Sequence, residues 1–288
     1  MRGWLIVNGF LKTQKFERLY TLLQNAAQKR KITLEIRTGD TLLGELQADK
    51  NVVNLPDFVI FWDKDVYLAK RLTELKVPLF NGVTAVEICD NKILTVLALL
   101  KNGVKTPKTV VAPKTFEGVG YTDLAFLTNA EKTLGYPMVI KEAYGSFGLQ
   151  VYLAENRNAA EKIVRRIGYK DFLMQELIAQ SRGKDVRANV VGGQVVCAML
   201  RENEADFRSN VTNGGKASAY TLTKEQERTA VQAAKAVGAD FAGVDILFGK
   251  EGEPIVCEVN SNPHFESTLK ATGVDLSEHI IDYIIKRL

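Results

Sequence analysis

The run Pro254-Ile255-Val256-Cys257-Glu258-Val259-Asn260-Ser261-Asn262-Pro263-His264 decides how this chain is read, together with Gly243-Val244-Asp245-Ile246-Leu247 just upstream. Each is a short apolar run with the length and composition of a buried strand, interrupted by an acid. A carboxylate in such a run is costly unless positive charge sits against it. Glu258 and Asn260 are two residues apart, so on a strand both point the same way. Asp245, brought over from the neighbouring run, completes a cluster of hard oxygen ligands. Magnesium carrying nucleotide phosphates suits such a set, because it favours one or two carboxylates plus phosphate oxygens. Either segment alone reads more simply as acids in ordinary salt bridges. The two together, with basic residues upstream, favour the metal.

At 288 residues the chain can bury a large core and is expected to split into two or three lobes. Its 46% hydrophobic and 25% charged content is that of an ordinary soluble globular protein. The net charge of +4 is small and the basic residues are dispersed, which argues against nucleic acid as the main partner. Cys89, Cys197 and Cys257 lie far apart in apolar settings and read as reduced core residues. Two histidines without a nearby cysteine argue against structural zinc. The amino-terminal run is too short and too soon interrupted for a signal peptide, and no apolar run approaches the ~20 residues that span a bilayer. The expectation is a cytoplasmic protein with no membrane partner.

Outward from the acid-bearing strands, the first 80 or so residues alternate strand and helix, which implies a parallel sheet covered on both faces. The turn Asn8-Gly9-Phe10 lacks the G-x-G-x-x-G fingerprint, so this lobe is Rossmann-like in layout only. A long helix is predicted over 84–102, stopped by Gly103 and Pro107. Strands at 108–111, 138–143 and 151–154 and helices at 123–134 and 156–167 follow, with a lobe boundary near 169–170. Strands at 172–178, 185–191 and 194–200 come next, the last two joined by the hairpin signal Gly192-Gly193. A polar loop covers 202–218, a capping box at Thr223–Gln226 opens a helix, and an amphipathic helix closes the chain over 275–288. The divisions are therefore 1–83, 84–170 and 171–288.

Several residues along this framework can handle charge. Lys141 ends an apolar strand just before Gly145-Ser146-Phe147-Gly148, where glycines let backbone N–H groups approach phosphate oxygens. The plainer reading is a hairpin turn with a solvated lysine. Lys92, after Asp90-Asn91, is equally open to reading as surface. Gln175-Glu176-Leu177-Ile178 ends a strand that can offer backbone groups to a planar base. Asp185 and Arg187 share one strand face and can be a simple exposed pair. Arg201, and Arg208 in the long polar loop, are candidates to stabilise a phosphoryl group in transfer.

Taken in order, these motifs resemble the ATP-grasp ligases of the RimK type. They are Lys92, Lys141 with its glycine turn, Gln175-Glu176-x-Ile178, Gly183-x-Asp185-x-Arg187, Phe207-Arg208-Ser209-Asn210-x-x-x-Gly214-Gly215, Gly243-Val244-Asp245-Ile246 and Glu258-Val259-Asn260-x-x-Pro263. The resemblance runs from about 77 to the end and is densest over 172–263. It implies a mixed α/β and α+β chain: a Rossmann-like N-terminal (pre-ATP-grasp) lobe followed by a two-lobed ATP-grasp fold with ATP between the lobes. Lys92 and Lys141 would bind the phosphates, under the turn carrying Gly145, Ser146 and Gly148. Gln175, Glu176, Leu177 and Ile178 would meet adenine, with Glu176 or Asp185 near the ribose. Asp245, Glu258 and Asn260 would hold magnesium, or manganese in its stead. Arg187, Arg201, Arg208 and Asn210 would face the phosphoryl group and the acceptor carboxylate.

The implied reaction joins an amino acid amine to a carboxylate through an acyl phosphate, the acid being a small molecule, a peptide or a protein tail. The family also suggests a homo-oligomer. A nucleotide-binding regulatory module of the same fold without turnover is the alternative. Two positions depart from the family pattern. Ser261-Asn262-Pro263-His264 stands where relatives have a small residue then Pro-Gly, so His264 contacts a substrate carboxylate, takes a proton from the amine, or simply caps a turn. Asn213 replaces an arginine often found in the glycine loop, which bears on the acceptor.

Overall fold

A computed structural model describes residues 1–42, 46, 54–209 and 214–288. The first lobe runs β1 (Arg2–Val7), α1 (Gln14–Lys29), β2 (Thr33–Thr38), α2 (Gly39–Leu42), β3 (Phe58–Phe61), α3 (Val66–Glu74) and β4 (Leu79–Phe80). Its four parallel strands lie in the order β2-β1-β3-β4. Strand alternation sorts the core onto two faces. Leu5, Val7, Phe58 and Ile60 pack on one side with α1, while Trp4, Ile6, Val59 and Phe61 pack on the other with α3.

The expected single helix over 84–102 is two helices, α4 (Val83–Asp90) and α5 (Lys92–Lys101). Asn91 breaks it: its backbone is extended and its side-chain oxygen accepts from the N–H groups of Ile93 and Leu94. Asparagine satisfies orphan helix donors better than it extends a helix. The break makes Lys92 the first residue of α5, with its backbone N–H donating to Ala143 O at 2.8 Å.

The middle sheet is built from β5 (Thr109–Val111), β6 (Met138–Glu142), β7 (Val151–Ala154) and β8 (Phe172–Glu176), antiparallel in the order β5-β8-β6-β7, with α6 (Phe126–Leu134) and α7 (Arg157–Ile167). The boundary expected near 170 therefore moves: β8 is hydrogen-bonded between β5 and β6, and the change of sheet falls after Glu176. The division at 84 shifts too, since Cys89, Leu99 and Val104 of the α4–α5 region join the core of the last sheet.

The last sheet comprises β9 (Lys184–Val191), β10 (Gln194–Glu202), β11 (Lys216–Ala219), β12 (Phe241–Phe248) and β13 (Pro254–Asn260), in the antiparallel order β11-β10-β9-β12-β13. The end of the expected polar loop is thus an edge strand. Helix α8 (Lys224–Ala236) opens with the predicted capping box. After α9 (Glu266–Thr272), α10 (Leu276–Arg287) returns to the first lobe. There Ile280, Ile281 and Ile284 share a core with Leu19 and Leu23, and Arg30 pairs with Asp282 and Glu278. Fully buried Asn81 adds a polar joint. Its amide donates to Phe241 O and Ser261 O and accepts from Asp240 N and Phe241 N, which fixes the chain just before His264. No described helix is long and apolar enough to cross a membrane.

Candidate active site

A cavity of about 750 Å³ lies between the middle and last sheets, with the first lobe closing one side. The paired registers aim one face of each sheet into it. On the middle sheet Lys141 lies opposite Leu173, and Val139 opposite Gln175. On the last sheet Arg187 lies between Met199 of β10 and Asp245 of β12. Asp245 is in turn opposite Glu258, and Gly243 opposite Asn260. The two acid-bearing runs are adjacent strands, as expected. A bulge beside Asp245 shifts the β12–β13 register by one residue, so Cys257 and Glu258 both line the cavity, which strict alternation forbids. Cys257 is therefore a site residue that its apolar sequence setting concealed. Gly243 is needed for close approach: a Cβ there would stand 2.8 Å from the Pro263 ring.

The floor is a charge ladder. Arg201 donates to both Asp185 oxygens at 2.7 and 2.5 Å and reaches Asp245 at 2.9 Å; Arg187 donates to both Asp245 oxygens at 2.7 Å. Burial alone would raise the Asp245 carboxyl, but the two guanidiniums hold it below the usual carboxylate range. Arg201 is only 3% exposed, borders the cavity, and is held by Asp185 and Asp245. Asp185, which also lines the cavity, has both its oxygens on Arg201. Glu176 Oε1 accepts from Lys108 N at 2.8 Å.

The residues fit a magnesium ion. Glu258 reaches the cavity with its Oε1 3.9 Å from Lys92 Nζ. Asn260 donates through Nδ2 to Gly243 O at 3.3 Å, which leaves its oxygen as an acceptor. Among the described residues no three acidic, histidine or cysteine side chains converge on a metal position. An ion here would lean on Asp245, Glu258, the Asn260 amide and phosphate oxygens.

Opposite, Lys141 is buried and donates at 3.4 Å to the Cys257 thiol. Lys92 donates to Gly145 O at 2.9 Å; burial lowers its pKa against the pull of Glu258. The glycine turn is gripped from three directions. Lys92 holds Gly145, Arg208 donates to Gly148 O at 2.5 Å, and Lys64 of the first lobe donates to Ser146 Oγ at 3.3 Å. Gly145 has φ +139°, and a Cβ there would lie 2.3 Å from Gln150 Oε1, so only glycine suits the position. Arg208 is otherwise held by Asp206, so in this arrangement it clamps the turn. Lys64 escaped the sequence reading because it enters the site from another lobe.

Apolar Val139, Leu173, Met199 and Leu247 shape a slot beside Leu177 and Ile178. Of the four buried side-chain polar atoms without a partner among the described residues, two belong to residues that border this cavity, Gln175 Oε1 and Gln150 Oε1, and both oxygens are themselves buried.

His264 lies against the first lobe, 5.9 Å edge-on from Phe16, with Nε2 3.2 Å from Lys15 O. A carbonyl only accepts, so Nε2 carries the hydrogen. Burial pushes the imidazole pKa down to about 4. Between pH 6.5 and 4 the unfolded chain protonates here while the folded one does not, so stability falls with pH in that window. His264→Phe should flatten that fall in urea melts at pH 7, 5.5 and 4.5; an unchanged slope would count against a neutral, buried ring. Asn210 and Asn213 lie outside the described residues.

Two sheets enclosing a nucleotide-sized cleft, with lysines on one wall and acids on the other, define the ATP-grasp architecture. The chain belongs to the RimK-like ATP-grasp domain family, whose profile matches residues 89–284. A probable alpha-L-glutamate ligase from Picosynechococcus sp. is 40% identical over 209 residues, 72% of this chain and 66% of that protein. N-acetylaspartylglutamate synthase A from Homo sapiens is 32% identical over 242 residues, 83% of this chain and 60% of that protein. The match thus spans just under two thirds of these relatives' length. D-alanine–D-alanine ligase from Bacillus anthracis, solved with ATP, has a TM-score of 0.75 at 19% identity, covering 99% of this chain and 96% of that one, a likeness of fold.

Proposed function

We propose that this protein is an ATP-dependent carboxylate–amine ligase. The observation that carries the reading is one cavity with Lys92 and Lys141 on one wall and Asp245, Glu258 and Asn260 on the other. Adenine would lie in the slot at Gln175–Ile178, meeting the backbone groups of Glu176 and Ile178. The triphosphate would run under the glycine turn to Lys92 and Lys141. An acid oxygen then attacks the γ-phosphorus and ADP leaves with the electron pair of the broken P–O bond. The amine attacks the resulting acyl carbonyl, phosphate departs, and the amine nitrogen loses a proton. Magnesium, or manganese, would neutralise phosphate oxygens during transfer, held by Asp245, Glu258 and Asn260. Closure by the turn, clamped through Arg208 and Lys64, keeps water from the acyl phosphate.

The amine substrate that best suits the relatives' names is glutamate, and the acceptor an acid on a small molecule, peptide or protein tail. A cytoplasmic homo-oligomer agrees with the family. A module that only binds nucleotide would not need every charge-handling position, and all those described are present. The test is a screen of amino acids and acidic acceptors with magnesium-ATP, following ADP and product mass. Amine-dependent ADP release with a new amide supports ligation. Release without an amine points to a kinase, and none with any pair points to a binding module.

A further inference from the structure

The first lobe meets the cavity at the carboxyl ends of β1 and β3, where Asn8, Lys15, Tyr20, Trp62, Asp63 and Lys64 line the wall. In the order β2-β1-β3-β4 the chain steps to one side from β1 and to the other from β3, so the switch point of this parallel sheet falls between them. A ligand crevice opens at such a point, outside the carboxyl ends of the strands. Ile6 lies opposite Phe61, so Asn8 and Asp63 leave their strands side by side. Asp63 is 7% exposed, and among the described residues no cation pairs with it. Its Oδ1 accepts from Asn8 Nδ2 at 3.3 Å and from Lys64 N at 2.7 Å. Its Oδ2 accepts no hydrogen bond among the described residues, yet it is not sealed off from solvent. The adjacent ammonium, that of Lys64, is turned to Asp90 and Ser146. A carboxylate so nearly buried is costly without positive charge against it. Burial, and after it the charge of Asp63, push the Tyr20 phenol up to about 12, so it stays a neutral hydroxyl near the acid. Asn262 Nδ2 donates to Trp62 O at 3.4 Å, which ties this wall to the loop that follows Asn260.

We propose that Asp63, with Asn8 and Tyr20, binds an ammonium group on the acid substrate, so that this substrate is an amino acid or peptide-type acid with a free amino group and not an N-acylated one. The inference rests on the ligase reading above and deepens it. The group is a bystander: it keeps its charge while the acid's carboxylate is phosphorylated, and it is distinct from the amine that attacks afterwards. An ammonium has three N–H donors, and the crevice offers three oxygens: Asp63 Oδ2, Tyr20 Oη and Asn8 Oδ1, which so far accepts only from Phe10 N. The charge-assisted bond to Asp63 supplies the counter-ion that the carboxylate lacks. A divalent metal fits less well, because Asp63 is the only acid that the first lobe's described residues bring to the cavity wall, and such ions take several hard oxygen ligands. The attacking amine fits less well too, since it must shed its proton to react and a neighbouring carboxylate favours the protonated form. Asp63 stands outside residues 89–284, the stretch that the family profile matches.

The test reads the acid half alone. The full chain is given magnesium-ATP, hydroxylamine as the nucleophile, and acids in pairs, each free and N-acetylated, beginning with L-aspartate, L-glutamate and glycyl-L-glutamate; ADP and hydroxamate are followed. The unsubstituted protein should use the free acid with a kcat/KM about 10- to 100-fold above that of its acetylated twin. Asp63→Asn should bring that ratio close to one by raising the KM of the free acid while leaving the acetylated acid within about twofold, a split that a merely structural role would not produce. Tyr20→Phe should lower the ratio in part, and it carries the test if Asp63→Asn fails to fold, as judged by the rise in Tm with magnesium-ATP. Acetylated acids used as well as free ones by the unsubstituted protein, or a ratio unmoved in the folded variants, overturns the proposal. Turnover confined to acids that carry no amino group also overturns it while the ligase reading stands. Absence of ADP release with any acid withdraws the ligase reading itself, and this inference with it.

Discussion

Asp245→Asn should reduce turnover by about 10³-fold and also destabilise the fold, whereas Glu258→Gln should cause a comparable loss of turnover with little change in stability. The two acids face one another across β12 and β13 but live in different surroundings. Asp245 is 4% exposed and neutralises Arg187 and part of Arg201. An amide in its place strands the Arg187 guanidinium in a dry setting, and breaking a buried pair from one side costs about 3–5 kcal/mol. Arg201 keeps Asp185, so the lower end of that range is expected. The carboxyl of Asp245 is held below its ordinary value, so its ion pairs contribute fully above about pH 4 and are lost as pH falls further. Urea melts of Asp245→Asn should therefore lack part of the acid destabilisation below pH 4.

Glu258 is the sharper probe of the metal. Its side chain is about one-third exposed and its cation, Lys92, stands 3.9 Å away, a weak contact to lose. Melting of Glu258→Gln should stay within about 0.5 kcal/mol of the parent. If that variant turns over normally, the oxygen trio does not hold the ion. If Asp245→Asn alone fails, Asp245 serves only the arginines.

What the sequence disclosed and what it hid follow from the range of each signal. Strand periodicity is local, so Glu258 and Asn260 could be put on one face and Asp245 beside them from the chain alone. Lys141 and its glycine turn are adjacent in sequence and were equally visible. The break at Asn91 was harder, because an asparagine inside a helical pattern reads as a weak helix former until its oxygen is seen capping Ile93 and Leu94. Cys257 reaches the cavity only through a bulge, which shows no distinct residue preference here. Lys15 and Lys64 belong to a lobe whose own pattern says nothing of nucleotide chemistry. They become site residues because α10 and Asn81 dock that lobe against the last sheet. Arg201 is legible as a charged group, but its partners come from β9 and β12, and no spacing within β10 reveals that it pairs with Asp185 and Asp245.

Lys141→Met should move activity and stability in opposite directions, and that opposition is what makes it informative. Lys141 is 8% exposed, and its only described hydrogen bond is to the Cys257 thiol. Burial pushes that thiol up, with Lys141 only partly countering, so at neutral pH it is an uncharged partner. A buried ammonium without a counter-ion is costly, and methionine fills nearly the same volume without the charge. The variant should gain about 1–2 kcal/mol, read as a higher Tm in the absence of nucleotide. The same substitution removes a charge-assisted bond to the phosphates, so the KM for ATP should rise about 100-fold and ATP should raise the Tm far less than it does in the parent protein. Unchanged nucleotide affinity removes Lys141 from the phosphate site. A lower Tm instead means the ammonium already has an anionic partner, and the positive charge is then structural and not held in reserve for the ligand.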